Sequence, residues 1–240
     1  MPASVRLGFL TPSSNTVLEP MIGAMLHPVD AVTAHFSRFS VTEISLDRRA
    51  VGQFENDKLL AAADLLADAR VDAISWAGTS SGWLGLDVDR ALCAALTDRT
   101  GIPATTSVLA LLDAFKAAGV TRYGLVTPYL DEVQAAILET FAGAGLECMA
   151  EQHLGDRGNY SFSEYDEDTI GEMIRGVAAT KPQAITVFCT NFRGARIAAR
   201  LEDEIGMPVF DTVSTGLWGA MRSAGTAPGA IRQWGRLFDL

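Results

Sequence analysis

Two α/β lobes of similar plan, each a parallel sheet flanked by helices, are predicted for this chain of 240 residues by three observations. Short apolar runs that end in turn residues alternate with stretches of helical periodicity, the pattern of a parallel sheet covered by helices. One seven-residue stretch of the first half recurs in the second. Two further echoes follow it in the same order.

Taken in order, residues 5–10, 73–76, 123–126 and 184–188 read as strands and 59–69 as a helix. Arg6-Leu7-Gly8-Phe9-Leu10-Thr11-Pro12 recurs as Arg122-Tyr123-Gly124-Leu125-Val126-Thr127-Pro128. Asp72-Ala73-Ile74-Ser75-Trp76-Ala77-Gly78-Thr79 is echoed by Gln183-Ala184-Ile185-Thr186-Val187-Phe188-Cys189-Thr190. Gly101-Ile102-Pro103, with a helix over 107–118, is matched by Gly206-Met207-Pro208 and a helix over 214–223. Any α/β chain repeats strand-turn-helix units, but three echoes with specific identities in one order argue for an internal duplication. The expected lobes are residues 1–104 plus 211–240 and residues 105–210, with a site between them.

Ligands of open α/β sheets bind beyond the carboxyl ends of the strands, so every echoed turn falls on the functional edge. If the halves face each other, Gly78 lies opposite Cys189. By the same logic the Pro12-Ser13 turn lies opposite Pro128-Tyr129, enclosing one small site.

Composition narrows the partners. With 19 basic and 29 acidic residues the formal net charge is -10, which repels polyphosphate and anionic lipid, so neither nucleic acid nor a membrane is expected as a partner. No stretch approaches the roughly 20 apolar residues of a membrane span. The opening Met1-Pro2-Ala3-Ser4-Val5-Arg6 has no signal-peptide core, and a cytoplasmic location is expected. Cys93, Cys148 and Cys189 are too few and too scattered for a disulfide framework, so a functional cysteine would act as a thiol. His27, His35 and His153 lack zinc-ligand spacing, and neither a Rossmann fingerprint nor a P-loop is present. No metal and no cofactor are expected; a homodimer is the base-rate expectation for assembly.

Several residues have structural readings that outweigh functional ones. Cys93 sits in the helical apolar pattern Leu92-Cys93-Ala94-Ala95-Leu96, and Cys148 near a strand after Gly145. Trp76, Trp83, Phe188 and Phe192 are assigned to the core, where aromatic residues near strand ends usually lie. The acidic run Glu164-Tyr165-Asp166-Glu167-Asp168 fits a solvated helix start better than a metal site. Ser13 and Ser14 have neither a nearby histidine nor a Gly-x-Ser-x-Gly elbow, which favours a loop and ligand role over a hydrolase nucleophile.

These segments resemble the aspartate/glutamate racemase superfamily, in the branch of maleate cis-trans isomerases, ectoine-utilisation proteins and arylmalonate decarboxylases. Pro12-Ser13-Ser14-Asn15-Thr16 is similar to the isomerase and ectoine-utilisation opening loop. Gly78-Thr79-Ser80 and Gly235-Arg236-Leu237-Phe238-Asp239 resemble the decarboxylase. The resemblance implies two α/β lobes around a site where racemases place one cysteine on each side of the substrate carbon. Here only Cys189 is present, because position 78 is glycine.

Two-base racemisation needs a thiol or thiolate on each face, and Gly78 supplies neither. Maleate-type isomerisation is compromised as well, since in that family the cysteine at the position of Gly78 is the covalent nucleophile. A single thiol can still protonate a carbanion, and an ordinary cysteine, with a pKa of about 8.5, is mostly thiol at neutral pH. The resemblance to the decarboxylase gives Cys189 that role toward an enediolate, with Thr79, Ser80 and Tyr129 as oxyanion donors and Thr190 in the equivalent turn. Resemblance to the isomerases makes Asn15 and Asn159 carboxylate ligands. The leading expectation is a cofactor-independent carboxy-lyase acting on a 2-substituted malonate or related small dicarboxylate. An isomerase or ectoine-utilisation type of enzyme is the alternative, and a non-catalytic carboxylate-binding homologue is the third.

Overall fold

The computed structural model of the protein describes residues 4–44, 46 and 56–240. The first half contributes β1 (Val5–Pro12), α1 (Leu18–Leu26), β2 (Val32–Phe39), α2 (Asn56–Asp68), β3 (Ala73–Trp76), α3 (Ser81–Leu84), α4 (Leu86–Thr100), β4 (Ala104–Thr106) and α5 (Ser107–Ala117). The second contributes β5 (Arg122–Thr127), α6 (Asp131–Gly143), β6 (Glu147–His153), α7 (Glu167–Ala178), β7 (Ala184–Val187), α8 (Gly194–Ile205), β8 (Val209–Asp211) and α9 (Thr212–Ser223). Two four-stranded sheets result, ordered β2-β1-β3-β4 and β6-β5-β7-β8, and every strand pair is parallel.

The sequence echoes are echoes of register. Leu7 pairs with Ala73 and Leu10 with Trp76 in the first sheet, as Tyr123 pairs with Ala184 and Val126 with Val187 in the second. The central strands β3 and β7 are buried at all four positions, as strands covered on both faces must be. The third echo has an equally local cause. Gly101 and Gly206 end α4 and α8 with φ of 70° and 74°, a left-handed conformation that glycine adopts without the Cβ penalty. Each is followed by a proline that turns the chain into the short strand beside the centre of its sheet.

The last helix of each half crosses to the other half. Helix α9 packs against β3 and β4 of the first sheet. In return, Phe115 of α5 meets Tyr123 and Phe210 of the second sheet, with ring centroids 5.7 and 5.9 Å apart. The two crossing helices also pack on each other, so one continuous apolar core joins the sheets. Both are capped by the residue that ends the preceding strand. Thr106 accepts from the Leu109 N–H, and Asp211 accepts from those of Val213 and Ser214. The acidic run at 164–168 opens α7, where the Asp166 carboxylate accepts from the Thr169 N–H at 2.8 Å. No helix among the described residues is long and apolar enough to cross a membrane.

Candidate functional site

A small cavity, of about 20 Å³, lies where the carboxyl ends of the central strands of both sheets converge. Its wall is made by Pro12, Ile44, Trp76, Gly78, Thr79, Ser80, Trp83, Tyr129, Asn159, Cys189 and Thr190. Larger hollows exist on the surface, but none of them holds the converging strand ends. Each central strand delivers its residues by its own length: β1 ends at Pro12, β3 runs into Gly78-Thr79-Ser80, β5 into Pro128-Tyr129 and β7 into Cys189-Thr190. Ile44 and Asn159 come from two loops that meet over the site. The Ile44 N–H donates to the Arg157 carbonyl at 3.1 Å, Glu43 bridges Gly158, and the Arg157 guanidinium lies 3.4 Å from the Glu43 carboxylate.

Cys189 is the thiol of this cavity and is 2% exposed. Burial, reinforced by the carboxyl groups of Asp211 and Asp156, pushes its pKa up to about 12, although the Tyr129 hydroxyl and the Asn191 N–H both donate to the sulfur. Tyr129 is itself buried, and its oxygen lies 2.7 Å from that of Thr79. Thr79, Tyr129 and the Cys189 sulfur thus form one chain of polar contacts from the first lobe to the thiol of the second. Cys93 and Cys148 lie elsewhere, and burial likewise raises them to about 12 and about 11.

Of the residues singled out from sequence, Pro12, Gly78, Thr79, Ser80, Tyr129, Asn159, Cys189 and Thr190 meet in this one wall. Ser13 and Asn15 do not; they lie behind it. The Asn15 side-chain carbonyl accepts from the N–H groups of Val17 and Leu18 at the start of α1, and its amide donates to the Thr190 carbonyl and hydroxyl at 3.0 and 3.2 Å. Its polar atoms are thus spent in tying the lobes together. Ser13 is bound to the backbone of Val41, which donates to its hydroxyl at 3.2 Å. Asn159 faces the cavity while donating to the Ser14 hydroxyl at 2.8 Å.

Sequence reasoning missed four residues. Ile44, Trp76 and Trp83 supply the apolar part of the wall, the two tryptophans being buried as core residues are and yet facing the cavity. Phe188 and Phe192 do belong to the core. Asn191 is a lobe-spanning clamp: its carbonyl accepts from Thr16 and Val17, and its amide donates to the Asn159 carbonyl at 2.6 Å. The cue was available, since an asparagine in the turn just beyond a buried strand, two residues after Cys189, has no reason to be apolar core.

Chemically, the wall combines neutral hydroxyl and amide donors with apolar surface, and no Lys, Arg or His is among its described residues. A carboxylate entering it is held by hydroxyl and amide donors. A carboxylate against Ile44, Trp76 or Trp83 is stripped of water by apolar surface, which raises its free energy.

Comparison with known proteins speaks to the family and the fold. The family model described as arylmalonate decarboxylase matches residues 17–238. The chain is 31% identical over 169 residues to the arylmalonate decarboxylase of Bordetella bronchiseptica, covering 69% of this chain and 70% of that one. It is 24% identical over 231 residues to the maleate isomerase of Geobacillus stearothermophilus, covering 91% of each. The solved structure of the Nocardia farcinica maleate cis-trans isomerase, a variant with a covalently bound succinylcysteine intermediate, superposes with a TM-score of 0.91 over 98% of both chains at 19% identity. That last likeness speaks for the fold.

Proposed function

The chain belongs to the arylmalonate decarboxylase family, and from that premise we propose that it is a cofactor-independent carboxy-lyase acting on a 2-substituted malonate. One observation carries the reading: the described cavity wall holds a single thiol, Cys189, together with Gly78, which has no side chain. One acid on one face can complete a decarboxylation but not an exchange of protons between faces.

In the proposed reaction one malonate carboxylate is bound by the Thr79, Ser80 and Tyr129 side, and the other lies against the tryptophans and Ile44. The bond from C2 to the second carboxylate breaks, carbon dioxide leaves, and the electron pair moves into the retained carboxylate as an enediolate. Hydroxyl donors fixed before the reaction stabilise that charge without reorganising. The Cys189 thiol gives its proton to C2, and solvent reprotonates the thiolate to close the cycle. A thiol pushed up to about 12 is fully protonated at neutral pH, the state an acid requires. Tyr129 and the Asn191 N–H hold the transient thiolate.

An isomerase reading draws on Asn159, a polar residue in the cavity wall, and on the maleate isomerase relative that matches along 91% of this chain. Addition of sulfur to a double bond, however, needs a thiolate, and burial opposes its formation here. The two readings part in one assay of substituted malonates and maleate in deuterated water. Carbon dioxide release with deuterium entering one face at C2, reduced about 10²- to 10⁴-fold in Cys189→Ala, is the expected result. Fumarate formed from maleate without carbon dioxide would replace the lyase by an isomerase.

A further inference from the structure

In the wall that Cys189 shares, the space that a side chain at position 78 would use is already filled. A Cβ placed on Gly78 would stand 2.1 Å from Cζ2 and 2.4 Å from Cε2 of Trp76, inside the 3.0 Å that real Cβ contacts respect. The edge of the indole therefore lies on the glycine. Trp76 is the last residue of β3, held in register by Leu10 on one side and Thr106 on the other. Its ring packs on Phe39 with centroids 5.1 Å apart and is 1% exposed. A side chain fixed in this way by a central strand is part of the scaffold of the cavity.

The consequence is a matter of size. A void that accepts a benzene ring measures about 150 Å³. At about 20 Å³ the present cavity falls far short of that, so the wall side chains, and above all those the strands hold in place, decide what enters. We propose that Trp76 is the specificity-determining residue of this site: its indole fills the volume beside Gly78, so that the site takes malonates with a small aliphatic group at C2 and excludes aryl ones. The choice of malonates rests on the lyase reading above; the size limit does not.

The test is calorimetric titration of methylmalonate and phenylmalonate into wild type, Trp76→Leu and Trp76→Phe, with carbon dioxide release measured in parallel. Wild type is expected to favour methylmalonate by about 10-fold or more, in the range that a hydrophobic pocket of fixed size can discriminate. Trp76→Leu, which removes the outer ring and keeps an apolar wall, should shift the ratio at least about 10-fold toward phenylmalonate, with Trp76→Phe between. If the leucine variant does not fold, the phenylalanine variant decides the matter alone. Equal binding of the two acids by wild type, an unchanged ratio in folded variants, or no binding by any of the three proteins would overturn the assignment. A shifted ratio without carbon dioxide from any malonate would leave Trp76 standing and remove the lyase. Carbon dioxide release with an unchanged ratio would do the reverse.

Discussion

Tyr129 is the residue through which the two lobes act on one sulfur. Its hydroxyl meets both the Cys189 sulfur and the Thr79 hydroxyl, and all three residues are buried. Replacing it by phenylalanine leaves the ring contacts with Trp83 and Phe162 in place and removes those polar contacts alone. The thiolate left after proton transfer then loses a donor, and kcat should fall about 10- to 100-fold with KM changed less, as for any interaction made mainly after the ground state. Thr79 loses its partner at the same time, at a cost of about 1–3 kcal/mol in stability. Steady-state kinetics and chemical denaturation of Tyr129→Phe check the two halves of this statement. An unchanged kcat would mean that the hydroxyl serves packing only. At this scale the sequence was informative about polar turn residues and silent about direction: Trp76 and Trp83 are core by composition, and only the way β3 delivers the one and α3 the other turns them into cavity wall.

Elements were legible in proportion to their burial. The fully buried central strands announce themselves as apolar runs, and their echo survives because both copies must present the same register and the same turn. The edge strands β2 and β6 are half exposed and carry mixed residues such as Thr33, Arg38, Glu147 and Gln152, so neither alternation nor an apolar run marks them cleanly. Strands β4 and β8, with three residues each, are too short for any period to show. What did mark them was the glycine before each, and that gives a prediction at this scale. A Cβ on Gly101 or Gly206 would meet no atom within 4 Å, so alanine there brings no clash and only the left-handed backbone cost. Gly101→Ala and Gly206→Ala should each lose about 1–2 kcal/mol in urea denaturation, and by similar amounts, because the two turns are copies. A loss at one site and none at the other would show that the repeat has diverged in backbone conformation.

Across the whole molecule, burial raises the pKa of interior carboxyl groups, Asp211 and Asp89 among them, and these give the protein an unusual response to pH. Asp211 caps α9 from a fully buried position, its second oxygen having no hydrogen-bond partner among the described residues, and its pKa is pushed up to about 8 by desolvation. Asp89 accepts from Ser81 and Thr106 and is pushed up to about 6, also by desolvation. Unfolded, both titrate near about 4. Between those values the folded state holds protons that the unfolded state has released, so stability falls as pH rises. The contribution of these two groups is complete below about pH 4. That of Asp89 is lost by about 6 and that of Asp211 by about 8. With a net charge of -10 at pH 7, self-repulsion among surface carboxylates works in the same direction. Thermal or urea unfolding should therefore show a more stable protein near pH 5.5 than near pH 8.5, with a slope of up to about 1.4 kcal/mol per pH unit for each group in its window. Asp211→Asn keeps an oxygen for the Val213 and Ser214 N–H groups and has no charge to bury, so its stability should decline less over the same interval. Stability that rises from pH 5.5 to 8.5 in wild type, or an equal slope in the variant, would mean that Asp211 is ionised in the folded protein. The acid next to Cys189 would then carry a permanent charge, and the thiol would be held still more firmly in its protonated form.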